Sequence, residues 1–209
     1  MVNTMEHARR MAGLYARMIA PRLELPRRRL VAEVPARSRV LDIACGTGEL
    51  VLALASRGFD VAGVDLDPAK IAHASKRLHT GDRFTVADAT ALPFEDGHFD
   101  VATLSMALHG LALEARRQAL TEALRVAPRV LVLDYAVPLP FNLTAWLMRI
   151  VERTSPAEHH AGFTSFRAAG GVAPLVASCG AEATRRGSEW SGCLELWSLS
   201  SSASDRDSG

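Results

Sequence analysis

The sequence predicts an α/β protein, a three-layer α/β/α sandwich on a seven-stranded, mostly parallel sheet with an antiparallel hairpin at its C-terminal end. Three observations carry this. Short apolar runs alternate with helical patterns between residues 39 and 135. Those runs are apolar at consecutive positions, which fits strands covered by helices on both faces. The first run, VLDIACGTGEL (residues 40–50), starts as a strand and turns on two glycines into a helix.

The elements follow in order. Residues 4–34 show helical periodicity, with Met11, Leu14, Tyr15 and Met18 on one stripe. Pro21 and Pro26 are expected to break it into two short helices. Strands are expected at 39–44, 60–65, 83–87 and 99–105, with helices at 49–56 and from Pro68, where proline suits a first turn. A helix over 113–126 leads to RVLVLDY (129–135), read as a fully apolar fifth strand. Residues 138–170 are too long for a simple connection and read as a lid or binding insertion. A helix near 172–178 and strand-like pieces at 182–187 and 193–199, joined by the turn SEWSG, complete the sheet. The expected organisation is one domain over 1–200, entered through N-terminal helices at 1–37, with a polar, disordered tail at 201–209.

Bulk composition narrows the function classes. The chain has 209 residues, 48% apolar and 22% charged, with a net charge of +1. This is enough to bury a proper core and gives no general electrostatic case for nucleic acid. No apolar run approaches a membrane span, and MVNTMEHARR lacks the apolar stretch of a secretory signal. Cys45, Cys179 and Cys193 form no C-x-x-C pair, so a reduced, cytoplasmic setting is expected. Residues 1–37 carry eight arginines against three glutamates, which reads as a solvated helix face before a docking patch. Oligomeric state is left open.

Two ligands compete for the glycine corner. A dinucleotide wants G-x-G-x-x-G, with its pyrophosphate at the helix N-terminus. Gly46 and Gly48 fit that pattern, but Val51 stands where the third glycine belongs. Asp65 closes the second strand 19 residues after Gly46, where an acid can hold ribose hydroxyls. Asp42 lies inside the first strand and Asp88 follows the third. Three carboxylates at one sheet edge suit an adenosyl ligand carrying positive charge better than one carrying phosphates.

VLDIACGTGEL, VAGVDLDPAKIAHA and TVADATALPFEDGHFDVATLSMALHGL, in that order and spacing, resemble the class I S-adenosylmethionine-dependent methyltransferases. The likeness is to the branch typified by quinone-biosynthesis C-methyltransferases, and it runs from about Arg39 to Pro138. It implies a Rossmann-like fold, S-adenosyl-L-methionine as cofactor and a small-molecule methyl acceptor. By the same resemblance Asp42 orients the methionine ammonium, and Ala44, Cys45, Gly46 and Gly48 face the methionine and ribose. Asp65 binds the ribose, Leu66 covers the adenine, Asp88 and Ala89 read the adenine edge, and Ser105 and Met106 line the sulfonium end. Glu49 and Asp67 are read as structural, a first-turn acid and a helix cap, and the resemblance implies that Asp100 is a structural position as well.

Catalytic signals are thinner, because methyl transfer needs alignment and water exclusion more than it needs a base. His109, just past the fourth strand, and Tyr135, ending the fifth, are the catalytic candidates. Tyr15, His109, His159, His160 and Phe163 are the acceptor-side candidates. No metal is expected, because the His159–His160 pair has no acid at ligand spacing. Phe141, Trp146, Leu147, Met148, Ile150, Phe163 and Phe166 make the insertion apolar, which suits a lipophilic acceptor or simply a core of its own. A cofactor-binding protein without turnover and, more distantly, an NAD(P)-dependent oxidoreductase are the alternatives.

Overall fold

The computed structural model describes residues 23–78 and 83–201. The expectations for the helical stripe around Tyr15 and for the tail beyond residue 201 therefore lie outside the described residues. The chain enters through α1 (Glu24–Ala32). Pro26 does not break this helix as expected: it sits in the first turn, where a backbone N–H has no intrahelical partner to lose, and its side is buried.

The sheet then forms from β1 (Arg39–Ile43), β2 (Asp60–Asp65), β3 (Phe84–Val86), β4 (Val101–Ser105), β5 (Arg129–Tyr135), β6 (Ala181–Glu189) and β7 (Leu194–Ser201). The order across it is β3-β2-β1-β4-β5-β7-β6. β3, β2, β1, β4 and β5 run parallel, and β7 returns antiparallel between β5 and β6. The expected seven-stranded, mostly parallel sheet with its C-terminal hairpin is what forms. In β1, β4 and β5 successive residues are buried, so both faces of the central sheet are covered. The outer strand β6 is mostly polar and carries a register irregularity between Arg185 and Gly187, features that protect an edge from further pairing.

Helices α2 (Glu49–Ala55), α3 (Pro68–Leu78) and α4 (Leu113–Val126) follow β1, β2 and β4. Asp67 opens α3 as the expected cap, its Oδ1 accepting from the Ala69 N–H at 2.8 Å. Asp100 holds the start of β1, accepting from the Arg39 N–H at 2.6 Å. The expected insertion folds as two helices, α5 (Leu143–Thr154) and α6 (Ala157–Ala168), before α7 (Val172–Ser178). Asn142 caps α5 by accepting from the Ala145 N–H, and its amide donates to the Ser191 carbonyl in the β6–β7 turn.

The apolar content of the insertion splits by face. Met148, Phe163 and Phe166 are buried, whereas Phe141, Trp146, Leu147 and Ile150 are exposed. The inward face of α5 is Ala145, Met148 and Glu152, spaced as one helical stripe.

The topology places the site. The chain runs outward through β2 and β3, then crosses to β4 on the other side of β1. In such sheets the crevice outside the carboxyl ends of the two central strands, here β1 and β4, is where ligands bind.

Candidate active site

β1 delivers the chain into a tight loop. Ala44, Gly46 and Gly48 all have positive φ, at 57°, 58° and 81°. At Gly48 a side chain is disfavoured by the positive φ and by crowding, since a β-carbon would lie 3.0 Å from Ala74 Cβ and 3.1 Å from Phe84 Cζ. Around Gly46 the space a β-carbon would enter is open, so backbone is presented there to whatever occupies the crevice.

Asp65 ends β2 facing this loop. Its Oδ2 accepts from the Gly46 N–H at 2.8 Å and its Oδ1 from the Asp67 N–H at 2.9 Å, with Lys70 Nζ at 3.7 Å. The acid thus fixes the loop as well as standing beside it, and each oxygen keeps a lone pair for a ligand hydroxyl. Asp42 is 2% exposed and accepts from Thr103 Oγ1 at 2.7 Å, across the register that sets these two residues opposite each other. Burial pushes its carboxyl up to about 7, against the Thr103 hydrogen bond and the charge of Arg27.

Burial also drives the Cys45 thiol far above its ordinary range, which makes it an inert wall residue and no nucleophile. Leu66 is exposed immediately past Asp65. Asp88 is exposed and accepts from the Thr90 N–H at 2.9 Å and from Thr90 Oγ1 at 2.8 Å, while Ala89 packs on the core. Past β4, the Ser105 hydroxyl is buried without a hydrogen-bond partner, and Met106 takes a positive φ of 56°. Open space beside the Gly46 backbone, two acids and an orphaned hydroxyl at one edge fit a polar, cationic adenosyl ligand. The third glycine of a dinucleotide site is instead Val51, fully buried in α2.

A second cluster lies beyond Met106. His109, in a short turn of 3₁₀ helix (Leu108–Gly110), sets its Nδ1 2.7 Å from Asp134 Oδ1. Asp134, fully buried near the end of β5, also accepts from the Tyr135 N–H at 2.8 Å. Burial works to lower the His109 pKa, but the Asp134 carboxylate outweighs it and the net shift is upward. The Tyr135 hydroxyl donates to Glu152 Oε1 at 2.8 Å. His109 Nε2 lies 3.8 Å from the same oxygen, and His159 Nε2 lies 3.0 Å from Glu152 Oε2. Burial acts to raise the Glu152 carboxyl, yet His159, His109 and Tyr135 together hold it below the usual range. Met106, His109, Tyr135, Val151, Glu152, Ser155, Pro156 and His159 line a cavity of about 230 Å³.

The two catalytic candidates, His109 and Tyr135, and the acceptor-side candidate His159 come together at this cavity. Phe163 stands behind it, with its ring edge-on to Tyr135 at 5.1 Å. His160 is not brought in: its Nδ1 meets the Glu152 carbonyl at 3.0 Å and ties α6 to α5. The expectation that no acid accompanies the histidine pair is overturned by Glu152, which helical folding carries to His159 from the preceding element. Nor is β5 fully apolar, since Asp134 is buried within it. Both residues left a signal: an acid inside an apolar strand run, and an acid in phase with the buried stripe of α5. Arg116 is a further unforeseen residue. Nearly fully buried, it donates from Nε to the Leu108 carbonyl at 2.9 Å, and from its other nitrogens to Ser165 Oγ and the Gly162 carbonyl. It fastens the His109 turn to α6.

Known proteins resemble this chain in sequence over part of its length and in fold over most of it. Residues 40–128 match the family described as "Methyltransferase domain". A demethylmenaquinone methyltransferase of Thermus thermophilus is 41% identical over 108 residues, covering 48% of this chain and 48% of that protein. The one from Clavibacter sepedonicus is 38% identical over 115 residues, covering 53% of this chain and 46% of its own. The chain thus spans about half the length of these curated relatives. Among solved structures, a SAM-dependent methyltransferase from Aquifex aeolicus superposes with a TM-score of 0.62 at 16% identity, over 90% of this chain and 97% of that one. Residues 40–128 thus match the methyltransferase-domain family, and the chain as a whole shares the fold of the solved Aquifex aeolicus protein.

Proposed function

We propose that the chain transfers a methyl group from S-adenosylmethionine to a small organic acceptor held in the cavity beneath α5 and α6. The observation that carries this is the continuity of the two sites through Met106. That residue directly follows the orphaned Ser105 hydroxyl at the end of β4, and it also lines the cavity with His109. A methyl group presented at the Met106 end therefore faces the acceptor space directly.

When bound, S-adenosylmethionine supplies an electrophilic methyl and its own leaving group. The protein's residues do the rest. Asp65 and the Gly46 backbone hold the adenosyl part, and Asp42, once ionised, faces the amino-acid ammonium. Leu66, Asp88 and Ala89 border the adenine. α5 and α6 cover the acceptor and exclude water, which an in-line displacement requires. The polar end of the cavity, formed by His109, Glu152 and His159, takes the acceptor's protic group, and an imidazole there accepts the proton it loses.

At about 230 Å³ the cavity is below the roughly 300–1,000 Å³ of drug-sized pockets, so an acceptor head of about one ring fits. A hydroxylated aromatic or quinol-like ring is in keeping with the demethylmenaquinone methyltransferases among the relatives. The free thiols of Cys45, Cys179 and Cys193 support a reducing, cytoplasmic setting.

The test is a panel of hydroxylated aromatic acceptors incubated with the chain and methyl-labelled cofactor. Transfer to at least one, alongside micromolar binding of S-adenosylhomocysteine, is the expected result. Tight cofactor binding with no transfer to any acceptor would make the chain a non-catalytic binder, and preference for NAD over S-adenosylhomocysteine would overturn the assignment.

A further inference from the structure

We propose that His109, Glu152 and His159 are the ligands of a divalent transition-metal ion of the zinc or ferrous class. One donor atom from each lies within 4.8 Å of the other two; His109 Nε2 is 3.8 Å from Glu152 Oε1 and His159 Nε2 is 3.0 Å from Glu152 Oε2. They come from separate elements: the turn after β4, the last turn of α5 and the first turn of α6. Two imidazoles and a carboxylate form a donor set that zinc and ferrous iron share. Three protein ligands with an open side are the mark of a catalytic rather than a purely structural site.

The surrounding contacts point the donors inward. Asp134 accepts from His109 Nδ1 at 2.7 Å, which fixes the proton on that nitrogen and leaves the Nε2 lone pair facing Glu152. The Tyr135 hydroxyl steadies Glu152 through Oε1 at 2.8 Å. Glu152 Oε2 is buried and accepts no aligned hydrogen bond, although His159 Nε2 is only 3.0 Å away. Gly110 makes room for this ring, since a β-carbon there would lie 2.7 Å from His159 Nδ1.

Asp134 and Glu152 place two buried acids beside the histidines, and Arg116 lies behind the His109 turn. The side chain of His159 is 37% exposed, which leaves a path of entry.

The inference rests on the proposed methyl transfer only for the occupant of the open position, an acceptor oxygen. Coordination to the cation favours its deprotonated form, and the proton leaves to solvent. Binding of the ion is independent of that reading.

The test uses the full chain, stripped with a chelator and titrated with Co²⁺ alone. One equivalent should bind and give the visible absorption of a low-coordinate cobalt site, which Zn²⁺ then bleaches. His159→Ala, at the exposed edge, should weaken Co²⁺ binding at least about tenfold while S-adenosylhomocysteine still binds. Glu152→Gln should do the same; if that variant does not fold, the His159 variant decides alone. Absence of a stoichiometric cobalt site in the wild type, or binding unchanged by His159→Ala, overturns the proposal. Loss of cobalt binding leaves methyl transfer standing if the chelated protein still turns over, so the two readings fail separately.

Discussion

His109 and Asp134 are joined by a 2.7 Å contact from ring nitrogen to carboxylate, although 25 residues of chain separate them. β4 and β5 pair in parallel, so the turn that follows β4 meets the end of β5. Asp134 makes three contacts with this neighbourhood: the His109 ring, the His109 N–H at 3.3 Å and the Tyr135 N–H at 2.8 Å. The ring's orientation and tautomer are therefore set by the sheet, not by solvent.

Asp134→Asn tests that control. The amide keeps the shape but cannot hold the histidine in one tautomer by charge. We expect turnover to fall roughly 10- to 100-fold, the range for losing the partner that orients a functional histidine. Affinity for S-adenosylhomocysteine should stay as in the wild type. Steady-state kinetics with calorimetry checks both, and an unchanged kcat would show that His109 orientation is irrelevant to the reaction.

Asp65→Ala removes two loop hydrogen bonds, to Gly46 and Asp67, along with the expected ribose contact. Hydrogen bonds to a charged group contribute about 1.5–3 kcal/mol each. Losing the ribose contact alone corresponds to a roughly 10- to 150-fold weaker Kd, and the loosened Gly46 loop adds to it. Asp65→Asn should recover part of the loss, because it can still accept from the Gly46 N–H. Titration of both variants with S-adenosylhomocysteine decides, and equal Kd values for Asp65→Ala and wild type would remove Asp65 from the site.

The glycine corner is legible in the sequence because its signals are local. Gly46 and Gly48 mark a backbone turn, and Asp42 and Asp65 sit at fixed offsets on adjacent strands. The periodicity of α3 and α4 reads their bounds directly, since each is amphipathic and begins where the pattern begins. The acceptor side is different: its chemistry depends on which residues meet across elements. Asp134 is a single acid inside an apolar run, and the position of Glu152 gains meaning only from α5 lying against the His109 turn. Pro26 misled for a local reason, as a proline in a first turn costs little and so marks no boundary.

Asp42 predicts a pH dependence whose sign can be stated. Its folded pKa, raised to about 7 by burial, lies above the ordinary carboxyl value of 3.8. Between those values the folded chain keeps a proton that the unfolded chain has lost. Stability therefore falls as pH rises from about 4 through 7, and levels off above. Cofactor binding runs the opposite way, because the ligand's ammonium needs the ionised acid, so affinity strengthens as pH rises through about 7. Asp42→Asn should flatten both curves. Thermal unfolding at a series of pH values, with and without S-adenosylhomocysteine, measures them; a wild-type affinity that is flat between pH 6 and 8 would count against the ammonium contact.

Gly162→Ala sets helix propensity against packing. Alanine in the middle of α6 gains about 1 kcal/mol over glycine from propensity alone. The added β-carbon, however, would stand 2.6 Å from the Gly110 carbonyl oxygen and 3.0 Å from that of His109. Both obstacles are backbone, and the Gly162 carbonyl is itself held by Arg116, so α6 can yield only by moving off the His109 turn. Overpacking of this kind costs about 1–3 kcal/mol, which outweighs the propensity gain. A net loss of about 1 kcal/mol would lower the melting temperature of a chain this size by roughly 2–4 °C. Displacement of α6 would also carry His159 away from Glu152, so turnover should fall by more than stability alone explains. Calorimetric melting paired with a turnover assay reads both effects; a variant more stable than wild type and fully active would mean that the two backbones are not in fixed contact.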